Sequence, residues 1–245
     1  YKRQAQTLKK HALDRIAAAP AAAAAADFRQ FLALAAQMQP QLQTAVSAYL
    51  AHKPLVGDDL VNISRLLGLH NRLRNQAAVI DATAKMVAIP TVRADKVPPH
   101  EDKHIIAFGA LVEGMAKDFG LQYRNVDNRI FEVKLPGSGP EEFGILTHAD
   151  VVPVVADEWV LDDGTKLDPF QLTRVGGNLY GRGSIDDKGS IATVLFAMKA
   201  VKDSGLPLAR TIRLMIETTE ETGGDAMKYY LSLIHISEPT RQAEI

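Results

Sequence analysis

The sequence predicts an α/β fold with a mixed, largely parallel sheet carrying helices on both faces, and three observations carry that prediction. Two apolar runs of strand length, Phe143–Thr147 and Ile212–Thr218, each end at polar residues. Between them Lys188–Asp203 has helical periodicity, with Ile191, Leu195, Met198 and Val201 along one side. Before them a helix and a hairpin follow in close succession. Strands and helices alternating at these lengths pack as helices on a sheet.

The elements follow in chain order. Residues 1 to about 75 differ in texture from the rest. The Ala-rich stretch Ala17–Ala26, interrupted by Pro20 and followed by Phe28, Phe31, Leu32 and Leu34, predicts helices broken at the proline. They form an N-terminal helical extension with no chemistry of its own. From Val79 a helix runs through Met86 and stops before Pro90 of "IPTV". A second helix carries Ile105, Phe108, Leu111, Val112 and Met115, and Gly120 supplies its left-handed stop. Leu121, Tyr123 and Val126 are then separated from Ile130, Phe131 and Val133 by Asp127-Asn128, a hairpin signal. "PGSGP" at Pro136–Pro140 is a loop.

Composition narrows the function classes. The 245 residues carry 28 Lys and Arg against 29 Asp and Glu, so no basic footprint calls for nucleic acid, and a small-molecule partner is expected. With no cysteine, disulfides and thiolate metal sites are excluded, and any metal must be held by His, Asp or Glu. No run of about 18 apolar residues is present, so no membrane span is expected. Residue 1 is Tyr, which leaves open an upstream signal and hence a cytoplasmic or periplasmic location.

Three segments carry chemistry. In "THADVVP", His148 leaves a strand and Asp150 follows two positions later. In extended backbone both point the same way, so the Asp150 carboxylate can accept a hydrogen bond from the imidazole nitrogen that does not face a metal. The alternative is a strand-end histidine capped by its neighbour. In "LYGRGSIDDKGS", glycines 181, 183 and 189 flank Asp186 and Asp187. Adjacent carboxylates repel, so burying them calls for a cation, with Asp186 as a candidate bridge between two ions. A phosphate cradle is the competing use of such a loop, and the two acids oppose it. In "ETTEETGG", Glu220 and Glu221 follow the second apolar strand. One can ligate a metal while the other takes a proton from a bound water, or the pair can simply cap the next helix. All three clusters are predicted at strand ends of one sheet, where such folds place a ligand crevice.

Over about Val79–Tyr230 these motifs resemble the M20 family of metallopeptidases, most closely its PepV- and carnosinase-like dipeptidase branch. The resemblance implies an incomplete three-layer, zinc-peptidase-like catalytic domain and a small peptide substrate. It implies that His148 binds one zinc, Asp186 bridges two, Glu221 binds the other, Asp150 orients His148 and Glu220 is the general base. Co2+ or Mn2+ could replace zinc. It also implies a cis Asp186–Asp187 bond. "DPF" at Asp168–Phe170 and "LYGRG" fit the same pattern, whereas "VLDDGTKL" after Trp159 is longer than in many members. Deacylases of the acetylornithine deacetylase and succinyl-diaminopimelate desuccinylase type share the motifs, and a non-catalytic metal-binding fragment is the reading from another class.

Further ligands, a lid and dimerisation domain and a last histidine, which the family places after the Glu221 position, are not readable in the sequence. The oligomeric state is therefore left open. "LSLIHISEPTR" at Leu231–Arg241 equals the in-frame translation of a transposon-type sequencing adapter. Residues 231–245 are accordingly read as a non-native tail without a packing surface, and His235 and Glu244 receive no role.

Overall fold

Apolar periodicity and capping residues account for most of the architecture. The computed structural model describes residues 10–18, 27–93 and 97–237, and the chain divides into two units. The heart of the Ala-rich stretch, residues 19–26, lies outside the described residues, as do residues 238–245 of the tail.

The first unit, residues 1–78 with 200–206, is helical. It contains α1 (Lys10–Ala17), α2 (Phe28–Met38), α3 (Gln43–Leu50) and the first part of α4 (Asp58–Val87). Asp27 caps α2, its carboxylate accepting from the Gln30 amide at 2.8 Å. Phe31, Leu32, Leu42, Ile63 and Leu66 are fully buried in its core. Each contributes about 1.5–3 kcal/mol of burial. Tyr49 donates to the Ser204 carbonyl within the same unit.

Helix α4 runs for 30 residues across the change in texture near residue 75, where the sequence suggested a boundary. No proline interrupts it before Pro90, so one helix forms where composition alone suggests two segments. Among the described residues no helix is long and apolar enough to cross a membrane.

The second unit, residues 79–199 with 207–245, is mixed α/β. Helix α5 (Lys103–Asp118) is capped by Asp102 and stops at Gly120, whose φ is +64°. The hairpin β1 (Gln122–Val126) and β2 (Ile130–Leu135) turns at Asp127-Asn128, both at positive φ. Strands β3 (Glu142–His148) and β6 (Thr211–Glu217) complete a sheet of order β1-β2-β6-β3. Only the β3–β6 ladder is parallel, because the hairpin enters the sheet antiparallel to β6. The sheet is therefore mixed, with a smaller parallel share than the sequence suggested.

Strand β2 is covered on both sides. Phe131 and Val133 point to one face, where Phe108 and Val112 of α5 are also fully buried. A Cβ at Gly109 would fall 2.7 Å from Phe131 Cζ, so glycine is what lets α5 lie this close. Ile130 packs with Ala226 and Tyr230 of α7 (Asp225–Ser237). Glu132 is buried under the same helix, meeting the Tyr230 hydroxyl with Arg213 Nε at 3.7 Å. Strand β3 is an edge among the described residues, and Phe143 and Leu146 remain about half exposed.

A separate hairpin, β4 (Thr173–Val175) with β5 (Asn178–Tyr180), precedes α6 (Lys188–Ser204). The start of the segment read as foreign continues α7 without a break through Ser237. Leu231 is exposed, and Leu233 packs against the Val126–Ile130 cluster. Its apolar residues recur at helical spacing, so local propensity extends the helix whatever the origin of the segment.

Candidate metal centre

Three loops converge at the carboxyl ends of β3 and β6. His148 is the last residue of β3 and lies in register with Glu217, the last of β6. Parallel pairing thus sets the imidazole beside the chain that leads to Glu220 and Glu221. These two open a short 3-10 turn, Glu220–Thr222. Gly223, at φ +108°, and Gly224, at φ +68°, reverse the chain into α7.

Asp186 arrives differently from the sequence expectation. It is not at a strand end of the main sheet but in the loop before α6, because β5, the preceding strand, pairs with β4 in its own hairpin. The Asp186–Asp187 peptide bond is cis. At Gly189, in the first turn of α6, a Cβ would collide with the Ser184 carbonyl, so the loop folds back on the helix only with glycine there.

One donor atom from each of His148, Asp186 and Glu221 lies within 4.8 Å of the others. His148 Nε2 is 2.9 Å from Asp186 Oδ1. Its Nδ1 is 3.0 Å from the Asp150 backbone oxygen and 3.4 Å from the Asp150 carboxylate. The nearer acceptor is thus the main chain, not the side chain the sequence pointed to. The Asp150 carboxylate is instead spent on two other donors, the Glu220 amide at 3.1 Å and the Glu221 amide at 3.0 Å. Asp150 thereby ties the β3 loop to the β6 loop.

The field at this point is strongly negative. Burial of the His148 ring opposes its protonation, but hydrogen bonds to Asp150 and Asp186 outweigh it and push the ring up to about 10. Burial raises Glu221, with Asp186, Glu220 and Asp150 adding to it against the attraction of His148. Burial likewise raises Glu217, helped by the charges of Asp150 and Glu220. Glu217 Oε2 is buried and has no hydrogen-bond partner among the described residues. Without a metal the proton on His148 is the local cation, and a divalent ion can take the place of the Nε2 proton. An imidazole and two carboxylates, with no thiolate, are a donor set suited to zinc or a similar divalent ion.

Glu220 lies on the same turn, exposed and outside the three-donor group. Two residues escaped the sequence reading. Glu217 ends an apolar strand run in register with His148, a signal the motif around Glu220 obscured. Lys188, inside "DDKG", is fully buried although its type is ordinarily exposed.

An α/β domain with a carboxylate–imidazole cation site at the carboxyl ends of adjacent strands is the class these features define. Residues 144–244 match the model of peptidase family M20/M25/M40, a match that runs on into the segment read as foreign. Beta-Ala-Xaa dipeptidase of Lactobacillus delbrueckii subsp. lactis is 35% identical over 126 residues, 51% of this chain and 24% of that protein. Aminoacylase-1 of Dictyostelium discoideum is 34% identical over 115 residues, 44% of this chain and 27% of that protein. Human carnosine dipeptidase 1 shares the fold, with a TM-score of 0.58 and 23% identity over 70% of this chain and 38% of that one. Over the matched residues the chain is similar to M20 peptidases, with dipeptidases among the relatives it resembles there. It spans about a quarter of the length of the curated relatives it matches.

Proposed function

We propose that the protein to which this chain belongs is a two-zinc hydrolase that cleaves dipeptides or related N-acyl amino acids, with Co2+ or Mn2+ able to replace zinc. The observation that carries the reading is the convergence of His148, Asp186 and Glu221 donors within 4.8 Å, next to an exposed Glu220. An imidazole and two carboxylates so close together would suit divalent ions of the zinc type. In this reading His148 holds one ion, Glu221 the other, and Asp186 bridges them. The metal's contribution is to acidify a water toward a pKa of about 7 and to polarise the scissile carbonyl.

The chain's own groups do the rest. Asp150 holds the Glu220–Glu221 turn through its two amide hydrogen bonds, and its backbone oxygen fixes the His148 tautomer that leaves Nε2 free for metal. Glu220, unencumbered by ligation, takes the proton of the attacking water and returns it to the leaving amine. Residues 76–230 are then the first part of the catalytic domain and residues 1–75 an extension to it. Residues 231–245 are foreign to it, a point that resequencing the gene from genomic DNA decides.

The likeness to a dipeptidase and to an aminoacylase is nearly equal, and both names denote hydrolysis of an amide next to an amino acid. Assaying the full-length protein on β-alanyl dipeptides, N-acetyl and N-succinyl amino acids separates them. Metal-dependent turnover highest on dipeptides is expected. Turnover confined to N-acyl substrates would move the assignment to the deacylases, and none on either class would remove the hydrolase reading.

A further inference from the structure

Lys188 lies two residues beyond Asp186, but its side chain runs back beneath the loop rather than into solvent. It is fully buried. Its stem fills the space under the glycines: a Cβ on Gly183 would meet Lys188 Cδ and Val151 Cγ1, each at 3.0 Å. Its Nζ donates to the Ile89 carbonyl at 2.7 Å and stands 5.8 Å from the centre of the Phe108 ring. Burial lowers this lysine to about 7, against the attraction of Asp150. A fold that needed only volume here would be served better by leucine or methionine, so the ammonium is retained for the hydrogen bond it makes.

That bond leads into a relay. Ile89 begins the "IPTV" segment, which joins the end of α4 to the β3 loop. Thr91, buried two residues on, donates its hydroxyl to the Ala149 carbonyl at 2.6 Å. Its own carbonyl accepts from the Val151 amide at 3.1 Å, and Val92 bridges Val151. Ala149 and Val151 flank Asp150, and Ala149 follows His148. Lys188, beside the Asp186 loop, and Ala149 and Val151 of the His148 loop therefore hold one short segment, Ile89–Val92, at its two ends.

We propose that Lys188 is a positioning residue that, through Ile89–Val92, fixes the spacing between the Asp186 loop and the His148–Asp150 loop. The consequence for cation affinity rests on the reading that His148, Asp186 and Glu221 hold metal. The spacing itself does not rest on it. No proton transfer by Lys188 is involved.

The test compares the 245-residue chain with its Lys188→Met variant, which keeps the stem and removes the donor. Amide hydrogen exchange without metal, and titration with Co2+ followed by its visible absorption, are the two readouts. The variant is expected to exchange at least about 10-fold faster at residues 149–151 and 184–190, with β2 unchanged, and to bind Co2+ about 10- to 100-fold more weakly, the span seen for groups that orient ligands. Unchanged exchange at both loops would overturn the inference, whatever the metal does. If the parent chain takes up no Co2+, the metal reading fails and exchange alone decides the spacing. Should Lys188→Met not fold, Thr91→Val, which breaks the other end of the relay, replaces it: looser loops support the relay, and protection equal to wild type refutes it.

Discussion

The His148–Asp150 loop and the Asp186 loop supply the same site by opposite means. The His148 and Asp150 side chains are 8% and 5% exposed; His148 Nδ1 faces the Asp150 main chain, and the Asp150 carboxylate accepts from two amides of the β6 loop. The Asp186 side chain is 71% exposed, and its neighbour Ile185 is 87% exposed. One half is built into the fold; the other is presented to solvent and held from below. A buried ligand shell costs desolvation and gives preorganisation, whereas an exposed carboxylate avoids the desolvation and contributes little until an ion arrives.

The largest effect expected of breaking this arrangement is on catalysis in the full-length protein. Glu220→Ala should lower kcat by about 100- to 10,000-fold while zinc content stays close to wild type. Asp186→Ala should instead empty the site. Metal loss with retained turnover per bound zinc in Glu220→Ala would reverse the two roles.

Stability sharpens the same contrast. Asp150→Ala removes both hydrogen bonds to the part-buried Glu220 and Glu221 amides and should cost about 1–3 kcal/mol in urea unfolding of the metal-free chain. Asp186→Ala should change it by no more than about 0.5 kcal/mol, as for other exposed positions. Equal losses would mean that both loops are structural.

A pH series probes the buried half by itself. The folded value of His148, about 10, lies above the ordinary 6.5. The folded state therefore holds the extra proton, and the stabilisation is fully present below about pH 6.5 and is lost as pH rises through about 10. Metal-free chain should lose stability between those values. Zinc, which displaces the Nε2 proton, should flatten the slope. A slope that persists unchanged in His148→Gln would assign it to another group.

Much of this was legible in local pattern. The Asp127-Asn128 turn, the Gly120 stop and the apolar runs Phe143–Thr147 and Ile212–Thr218 depend on neighbours in sequence, and the strands observed, Glu142–His148 and Thr211–Glu217, match those runs to within a residue at each end. What was not legible depends on distant partners. Asp150 binds amides about 70 residues away, so no local spacing reveals that its carboxylate serves them as well as facing His148. Lys188 reaches Ile89, 99 residues back, and a lysine in a Gly-rich loop gives no sign of burial. Asp186 was expected at a strand end of the main sheet, but it follows the separate β4–β5 hairpin. That β5 pairs outside the main sheet is a tertiary fact.

The central claim is that His148, Asp186 and Glu221 bind one cation site together, and zinc titration of the 245-residue chain by calorimetry tests it most directly. The account predicts zinc uptake by the wild-type chain that is abolished in each of His148→Ala, Asp186→Ala and Glu221→Ala. Zinc bound equally well by wild type and all three variants would contradict it.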